Sequence, residues 1–294
     1  MNVPESLAVS ATFRPVVIDG YATGPLDIQV AGRRILSVPT QLGCRVGCTF
    51  CVSAGAPVVR NLRAVDMLEM VRVCLDALPP DGRPLELSFT GEGEALLNHR
   101  ETAKVCAGLA GVCADFSSVR YCFSGMAASR LLSVLSAAPF TPRLQFSLHS
   151  ARQTVRNHLV PLSEPLGVIE KTLRENASRF SAIELNVVLQ DGVNDSDEDL
   201  DALATWGRSD WPVLLNPLLE SGAEKQARRV LQFAQELAAR GRIVRIYREV
   251  GARIARSGMY PMLTARPVSQ AREAPNLVEA AGLEGVSKPE WPVR

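Results

Sequence analysis

The 294 residues predict an α/β chain whose strands curl into a partial or nearly closed (β/α)6-type barrel, with a short N-terminal β extension. Three observations predict it. Strand-like apolar runs alternate with segments of helical spacing along most of the chain. Four of those strands keep their polar residues in one phase. No low-complexity run or linker-like segment interrupts the pattern.

In order, residues 1–36 form the extension, because GYATGPLDIQVAGRRILSV reads as a hairpin. After a cysteine-rich loop, RAVDMLEMVRVCLDAL sets Met67, Met70, Val71, Cys74 and Leu78 on one helical face. DGRP is a turn, and LELSFTG is a strand closed by glycine. HRETAKVCAGLAGVCADF is helical, VRYCFSG a strand, MAASRLLSVLSAA a helix and RLQFSLHS a strand. LGVIEKTLRENASRF and AIELNVVLQDG repeat the alternation. DSDEDLDALATWG opens on acidic capping residues and continues as a helix. WPVLLNPL, AEKQARRVLQFAQELAARG and RIVRIYREVG supply a strand, a long helix and a last strand. With the strand before Cys44 this makes about six or seven βα units. The barrel spans residues 37–262, and residues 263–294, rich in Pro and polar side chains, form a surface tail.

Alternate strand residues face opposite sides of a sheet. The apolar sets are Leu85/Leu87/Phe89, Val119/Tyr121/Phe123, Leu144/Phe146/Leu148 and Leu185/Val187/Leu189. Helices must cover these. The other face carries Glu86/Ser88/Thr90, Arg120/Cys122/Ser124, Gln145/Ser147/His149 and Glu184/Asn186/Val188/Gln190. A barrel that only packs its interior fills it with branched apolar side chains. Burying unpartnered polar groups costs about 1–3 kcal/mol each. The lumen is therefore expected to be wet and to hold a polar ligand.

Lys+Arg 32 against Asp+Glu 31 gives a net charge of +1, which lacks the basic excess of a dedicated nucleic-acid binder. No apolar run approaches the roughly 20 residues of a membrane span, and MNVPESLAVSATFRP has no signal-peptide pattern. Seven cysteines, three of them clustered, fit a cytoplasmic protein with a metal site better than a disulfide framework.

Cys44, Cys48 and Cys51 lie together in QLGCRVGCTFCVSAG. Such sulfur-rich groups select zinc or iron–sulfur. A closed zinc site takes four ligands, and the nearest downstream histidine is His99. A cubane cluster held by three thiolates instead keeps one iron open for another ligand.

CRVGCTFC, a C-x3-C-x2-C run with an aromatic before the last cysteine, resembles the signature of the radical S-adenosylmethionine (SAM) enzymes. The resemblance implies a [4Fe–4S] cluster on Cys44, Cys48 and Cys51, with SAM chelated by the open iron. One-electron cleavage of SAM then gives methionine and a 5′-deoxyadenosyl radical that abstracts hydrogen. It also implies an electron donor of the flavodoxin or ferredoxin class. Within that superfamily, residues 35–260 resemble the RlmN/Cfr group of rRNA adenine methyltransferases. SVPTQLGCRVGCTFC, FTGEGEALLN, SLHSARQTVRNHLVP, DGVNDSDEDL and LLNPL carry the likeness, with Ala95 where the group has proline. By this resemblance Gly93 and Glu94 meet the amino end of SAM, and Ser124, Ser147, His149 and Asn216 surround its ribose and methionine parts.

The group's methyl transfer needs two further cysteines. Their positions hold Ser37 and, near the C-terminus, Ser257, and no cysteine occurs before Cys44 or after Cys122. A serine hydroxyl is a far poorer nucleophile than a thiol. Only 43 residues precede Cys44, so most of the group's N-terminal RNA-binding extension is absent, which argues against structured RNA. The expected substrate is a polar, nucleoside-like small molecule, and the expected reaction an epimerisation or related tailoring step of natural-product type. Cys122, the one non-cluster cysteine phased into the lumen, is the candidate hydrogen donor, with lumen packing as its other role. The alternatives are an RNA adenine methyltransferase-like protein, or a sulfur-inserting enzyme with a second cluster on some of Cys74, Cys106, Cys113 and Cys122.

Overall fold

The computed structural model describes residues 5–30, 32–51, 53–54, 57–78, 82–217, 223–249 and 266–267. β1 (Glu5–Phe13) leads to a small antiparallel pair, β2 (Val16–Ile18) and β3 (Tyr21–Thr23), and then to β4 (Leu26–Val30) and β5 (Arg33–Val38). β6 (Gln41–Leu42) and β7 (Arg60–Asn61) pair across the two ends of the cysteine loop. The alternation follows: α1 (Ala64–Asp76), β8 (Leu85–Phe89), α2 (His99–Gly108), β9 (Phe116–Phe123), α3 (Ala128–Leu131), β10 (Arg143–Ser147). Then come α4 (Gln153–Leu159), α5 (Leu166–Asn176), β11 (Ala182–Leu189), α6 (Asp197–Thr205), β12 (Val213–Pro217), α7 (Ala223–Ala239) and β13 (Val244–Glu249). β14 (Arg266–Pro267) pairs with β3. The tail expected over residues 263–294 otherwise lies outside the described residues.

β5, β8, β9, β10, β11, β12 and β13 pair in parallel in chain order, which is the expected (β/α)6 arrangement. Left alone they would form an open ring. The hairpin β4–β5 and strand β1, antiparallel to β4 and parallel to β13, close it. The N-terminal hairpin is thus part of the barrel wall.

The phase of the strands follows the sequence pattern. Leu87, Phe89, Val119, Tyr121, Leu144, Phe146, Leu185 and Leu189 face out and join α1, α2, α5, α6 and α7 in one core. Local signals set the helix starts. Ser196 caps α6 in a reciprocal box with Asp199. Asp66 accepts the Arg63 amide hydrogen at 2.9 Å to open α1. The helix expected from MAASRLLSVLSAA shrinks to α3 and one 3-10 turn through Val134. Its would-be end is drawn to the sheet, where the Tyr121 hydroxyl donates to Ser136 O at 2.8 Å. Helix α4, inside SLHSARQTVRNHLVP, is an element the sequence pattern did not separate from its neighbours.

Candidate active site

Glycines shape the mouth of the barrel. Gly43 sits at φ +86, and a Cβ there would stand 1.9 Å from Pro57 O, so the cysteine loop can leave β6 only through glycine. The loop is held by Thr49 N–H to Leu159 O (3.1 Å) and by Cys51 N–H to Cys48 O (3.0 Å). The GEGE segment follows β8 and is fastened to the start of that loop. Thr40 N–H donates to Glu92 O (3.0 Å), and Glu94 N–H to Gln41 Oε1 (2.9 Å).

One cavity of about 1250 Å³, counting its open mouth, lies at the C-terminal ends of the parallel strands. Cys44, Cys48, Cys51, Gly93, Glu94, Ser124, Ser147, His149, Asn216 and Cys122 all line it. Every residue expected to hold the cluster, to meet SAM or to donate hydrogen thus lines one chamber, while Ser257 lies outside the described residues. Ser37, on the same strand face as the cavity-lining Ile35, is buried and donates to Thr90 O at 3.3 Å.

The chamber has three layers. At the mouth, Glu94 is fully enclosed. Its Oε2 accepts the Ser124 amide (2.8 Å) and hydroxyl (2.5 Å), and its Oε1 accepts Leu96 N–H (3.2 Å). Burial pushes its carboxyl up, against these hydrogen bonds. His149 sits at φ +54, held by its amide on Asn186 O (3.1 Å). Its Nδ1 accepts Val188 N–H at 3.1 Å, which leaves the proton of the neutral ring on Nε2. Burial first, and Arg156 second, hold the ring well below the usual imidazole range, so it is neutral. Phe50 packs edge-on against it, 4.6 Å between centroids. Asn216 donates to Asn186 Oδ1.

In the middle layer, Cys122 Sγ lies 3.2 Å from Gln145 Oε1 and 3.8 Å from Ser88 Oγ. Burial pushes this thiol up, against the pull of Arg120, so it keeps its hydrogen.

The bottom layer corrects the expectation of an open polar lumen. Glu86 and Glu184 do not wait for a ligand. Arg120 meets Glu86 at 2.7 Å, Arg143 meets both acids at 2.8 and 3.2 Å, and Arg245 meets Glu184 at 2.9 Å. These ions seal the N-terminal ends of the strands, and only Arg120 reaches the cavity floor. Gln190, also expected in the lumen, does not line the cavity; its backbone N–H donates to Asn194 Oδ1 in the loop after β11.

The other cysteines divide. Cys74 and Cys106 are in the helix–sheet core, with Cys113 packed against it, on the opposite side of the wall from Cys122. That separation gives no support to a second cluster built on these four thiols.

The donor set at Cys44, Cys48 and Cys51 fits an iron–sulfur cluster. Burial pushes the Cys44 thiol up to about 11, and burial with the neighbouring Cys51 and Cys44 pushes Cys48 up as well. Bare thiolates are unfavourable here, and a cationic metal core reverses that preference. Among the described residues no three donor side chains close around a single ion. Three thiols around one cavity suit a multi-iron cluster, which offers each its own metal.

Gly93 sits at φ +96, and a Cβ there would lie 2.7 Å from Gln41 Cβ and 2.9 Å from its backbone N. Gly93→Ala is therefore expected to displace the GEGE segment and weaken SAM binding roughly tenfold or more, about 1.4 kcal/mol. Equilibrium binding of SAM to the cluster-loaded variant measures this, and unchanged affinity with intact cluster content would count against it.

No protein-family model matches the chain. A probable dual-specificity RNA methyltransferase RlmN of Symbiobacterium thermophilum is 27% identical over 229 residues, covering 74% of this chain and 61% of that protein. One of the same description from Desulforudis audaxviator is 30% identical over 257 residues, covering 80% and 76%. A Rhodopirellula baltica relative is covered over only 46% of its length, so the chain spans about half to three-fifths of several such relatives. Among solved structures, a radical SAM methyltransferase from Sphaerobacter thermophilus superposes with TM-score 0.63 at 27% identity, covering 81% of this chain and 76% of that one. Streptococcus suis SuiB bound to SAM shares the fold at TM-score 0.50 and 12% identity. The cofactors of such a protein are a [4Fe–4S] cluster and SAM. With the cysteine loop, the GEGE segment and the polar strand ends assembled around one chamber, the chain belongs to the RlmN family of radical SAM proteins.

Proposed function

We propose that the chain abstracts a hydrogen atom from a polar, nucleoside-like small molecule in the barrel and returns one from Cys122, an epimerisation-type outcome. Bound together, the cluster and SAM supply one-electron cleavage of SAM and, with it, hydrogen-atom abstraction. The chain's own residues supply the rest. Gly93, Glu94, Ser124, Ser147, His149 and Asn216 form the SAM-side wall, with His149 Nε2–H as a donor. Arg120, Gln145 and Ser88 present polar groups below it to the substrate.

The observation that carries this proposal is the position of Cys122 Sγ inside the chamber, 3.2 Å from Gln145 Oε1, where burial pushes the thiol up. The S–H bond breaks, a C–H bond forms on the substrate radical, and the remaining thiyl is restored by one electron and one proton. That electron comes from a donor of the flavodoxin or ferredoxin class in a reducing cytoplasm. No helix among the described residues is long and apolar enough to cross a membrane.

A second function is favoured by the relatives, which are named as RNA methyltransferases. Those names do not support setting RNA aside as a substrate. Against methyl transfer through a protein thiol stand Ser37 and the lack of any cysteine in residues 123–294.

One experiment separates the two. Cluster-loaded protein with reductant and SAM is expected to release 5′-deoxyadenosine without methylating an rRNA transcript. With its substrate in deuterated water, the product should carry deuterium at the reacting carbon, because a thiol hydrogen exchanges with solvent. Cys122→Ala should still make 5′-deoxyadenosine but stall before normal product. Methylation of RNA adenine at an enzymatic rate, or normal turnover by Cys122→Ala, would overturn the proposal.

A further inference from the structure

We propose that Arg156 is the internal counter-cation of the iron–sulfur cluster and raises its reduction potential. Arg156, on α4, is completely buried. Its Nη1 donates to Ser147 O at 2.7 Å and to Leu148 O, and its Nη2 to Ser124 O and, at 3.1 Å, to Ser163 Oγ. Its Cζ lies 4.7 Å over the Phe146 ring. None of these partners is a carboxylate. Two other buried arginines, Arg34 and Arg120, meet acids, Asp27 at 3.3 Å and Glu86 at 2.7 Å, whereas Arg242 is also held by backbone carbonyls but lies at the far side from the cysteine loop, bonded to Trp206 O and Trp211 O. A buried cation with only neutral partners is strongly unfavourable until an anion arrives beside it.

The cysteine loop is docked on the same helix. Thr49 N–H bonds Leu159 O, and the three cluster cysteines pack against a buried cluster that includes Leu159 and Val160. Arg156 and Cys48 lie close enough to act on each other: burial lowers the guanidinium to about 9, and Cys48 opposes that fall. Glu94 and Glu92 face the same loop with the opposite sign. Three thiolates outweigh the charge of a cubane core, so the bound cluster is an anion, and it becomes more negative on gaining one electron from a low-potential reductant. A cation at Arg156 favours the reduced form most. It also ties the ends of β9 and β10, so charge and clamp must be separated by experiment.

The test is a potentiometric titration of the anaerobic, cluster-loaded protein without SAM or substrate, followed by the electron paramagnetic resonance of the reduced cluster. Arg156→Gln keeps hydrogen-bond donors but no charge, and Arg156→Lys keeps the charge without the fork. Ser163→Asp places a carboxylate where Arg156 Nη2 now meets a hydroxyl. At fixed ambient potential the reduced-to-oxidised ratio is expected to fall at least about tenfold in Arg156→Gln, a 59 mV shift for one electron, and to stay within about threefold in Arg156→Lys. Ser163→Asp should shift it in the same direction as Arg156→Gln. An unchanged potential in a cluster-loaded Arg156→Gln, or an equal fall in Arg156→Lys, would overturn the proposal. If Arg156→Gln fails to hold a cluster, Ser163→Asp decides, and an unchanged potential there overturns it.

Discussion

Cys48→Ala is expected to leave the anaerobically reconstituted protein colourless and without SAM cleavage, whereas Cys74→Ala stays brown. Cys48 stands between the other two cluster cysteines in sequence, and its neighbour Thr49 anchors the loop to Leu159. A cluster held by only three thiolates has no spare ligand, so losing one of them removes a metal–sulfur bond that no neighbouring side chain replaces. Cys74 lies in the helix–sheet core and touches no part of the chamber. The loss of its sulfur leaves only a small cavity. Iron and sulfide analysis with the visible spectrum measures both variants. A full cluster on Cys48→Ala would refute the assignment of the three thiols.

Glu86→Ala is expected to destabilise the fold by about 3–5 kcal/mol, the usual cost of stranding a buried charge. Glu86 is 2% exposed and meets Arg120 at 2.7 Å and Arg143 at 2.8 Å. Without it those guanidiniums share Glu184 alone among the acids of this layer. For a domain of this size the melting temperature should fall by roughly 6–20 °C. Calorimetry on the cluster-loaded protein tests this, and a fall of a degree or less would show that the layer contributes little.

The same layer sets a pH dependence. Burial alone would raise Glu184, but Arg120, Arg143, Arg245 and Arg33 outweigh it and hold its carboxyl below the ordinary 4.5. A carboxylate depressed in the folded state contributes stability that is complete above the unfolded value and lost as acid titrates the folded one. Acid destabilisation through Glu184 should therefore begin below about pH 4.5 and vanish when Glu184 is neutral from the start, as in Glu184→Gln.

The cysteine loop, the GEGE segment and the strand phase were legible because each is local. A C-x3-C-x2-C run fixes which atoms can bind metal whatever surrounds it. Two-residue alternation likewise places Ser88, Cys122 and Gln145 on one face before any strand has a partner. Alternation could not say which polar residues pair with one another. Glu86, Arg120 and Glu184 carry the same signal as Ser88 and Cys122, yet they neutralise each other across three strands far apart in the chain. Arg156 was missed for a related reason. Its helix, seven residues long, falls between two strong elements, and a lone arginine on it reads as a surface charge.

What the sequence by itself determined is the set of local features: three clustered thiols, a glycine-rich acidic segment, and an inward polar face. What only the tertiary structure decided is who meets whom. Ring closure through β1 and β4, the ionic seal at the base, the thiol hydrogen of Cys122 against Gln145 and the buried Arg156 beside the cysteine loop all join residues tens to hundreds of positions apart. Periodicity fixes the direction of a side chain relative to its own strand or helix. Its partner across the barrel depends on strand register and loop closure, which no local pattern encodes.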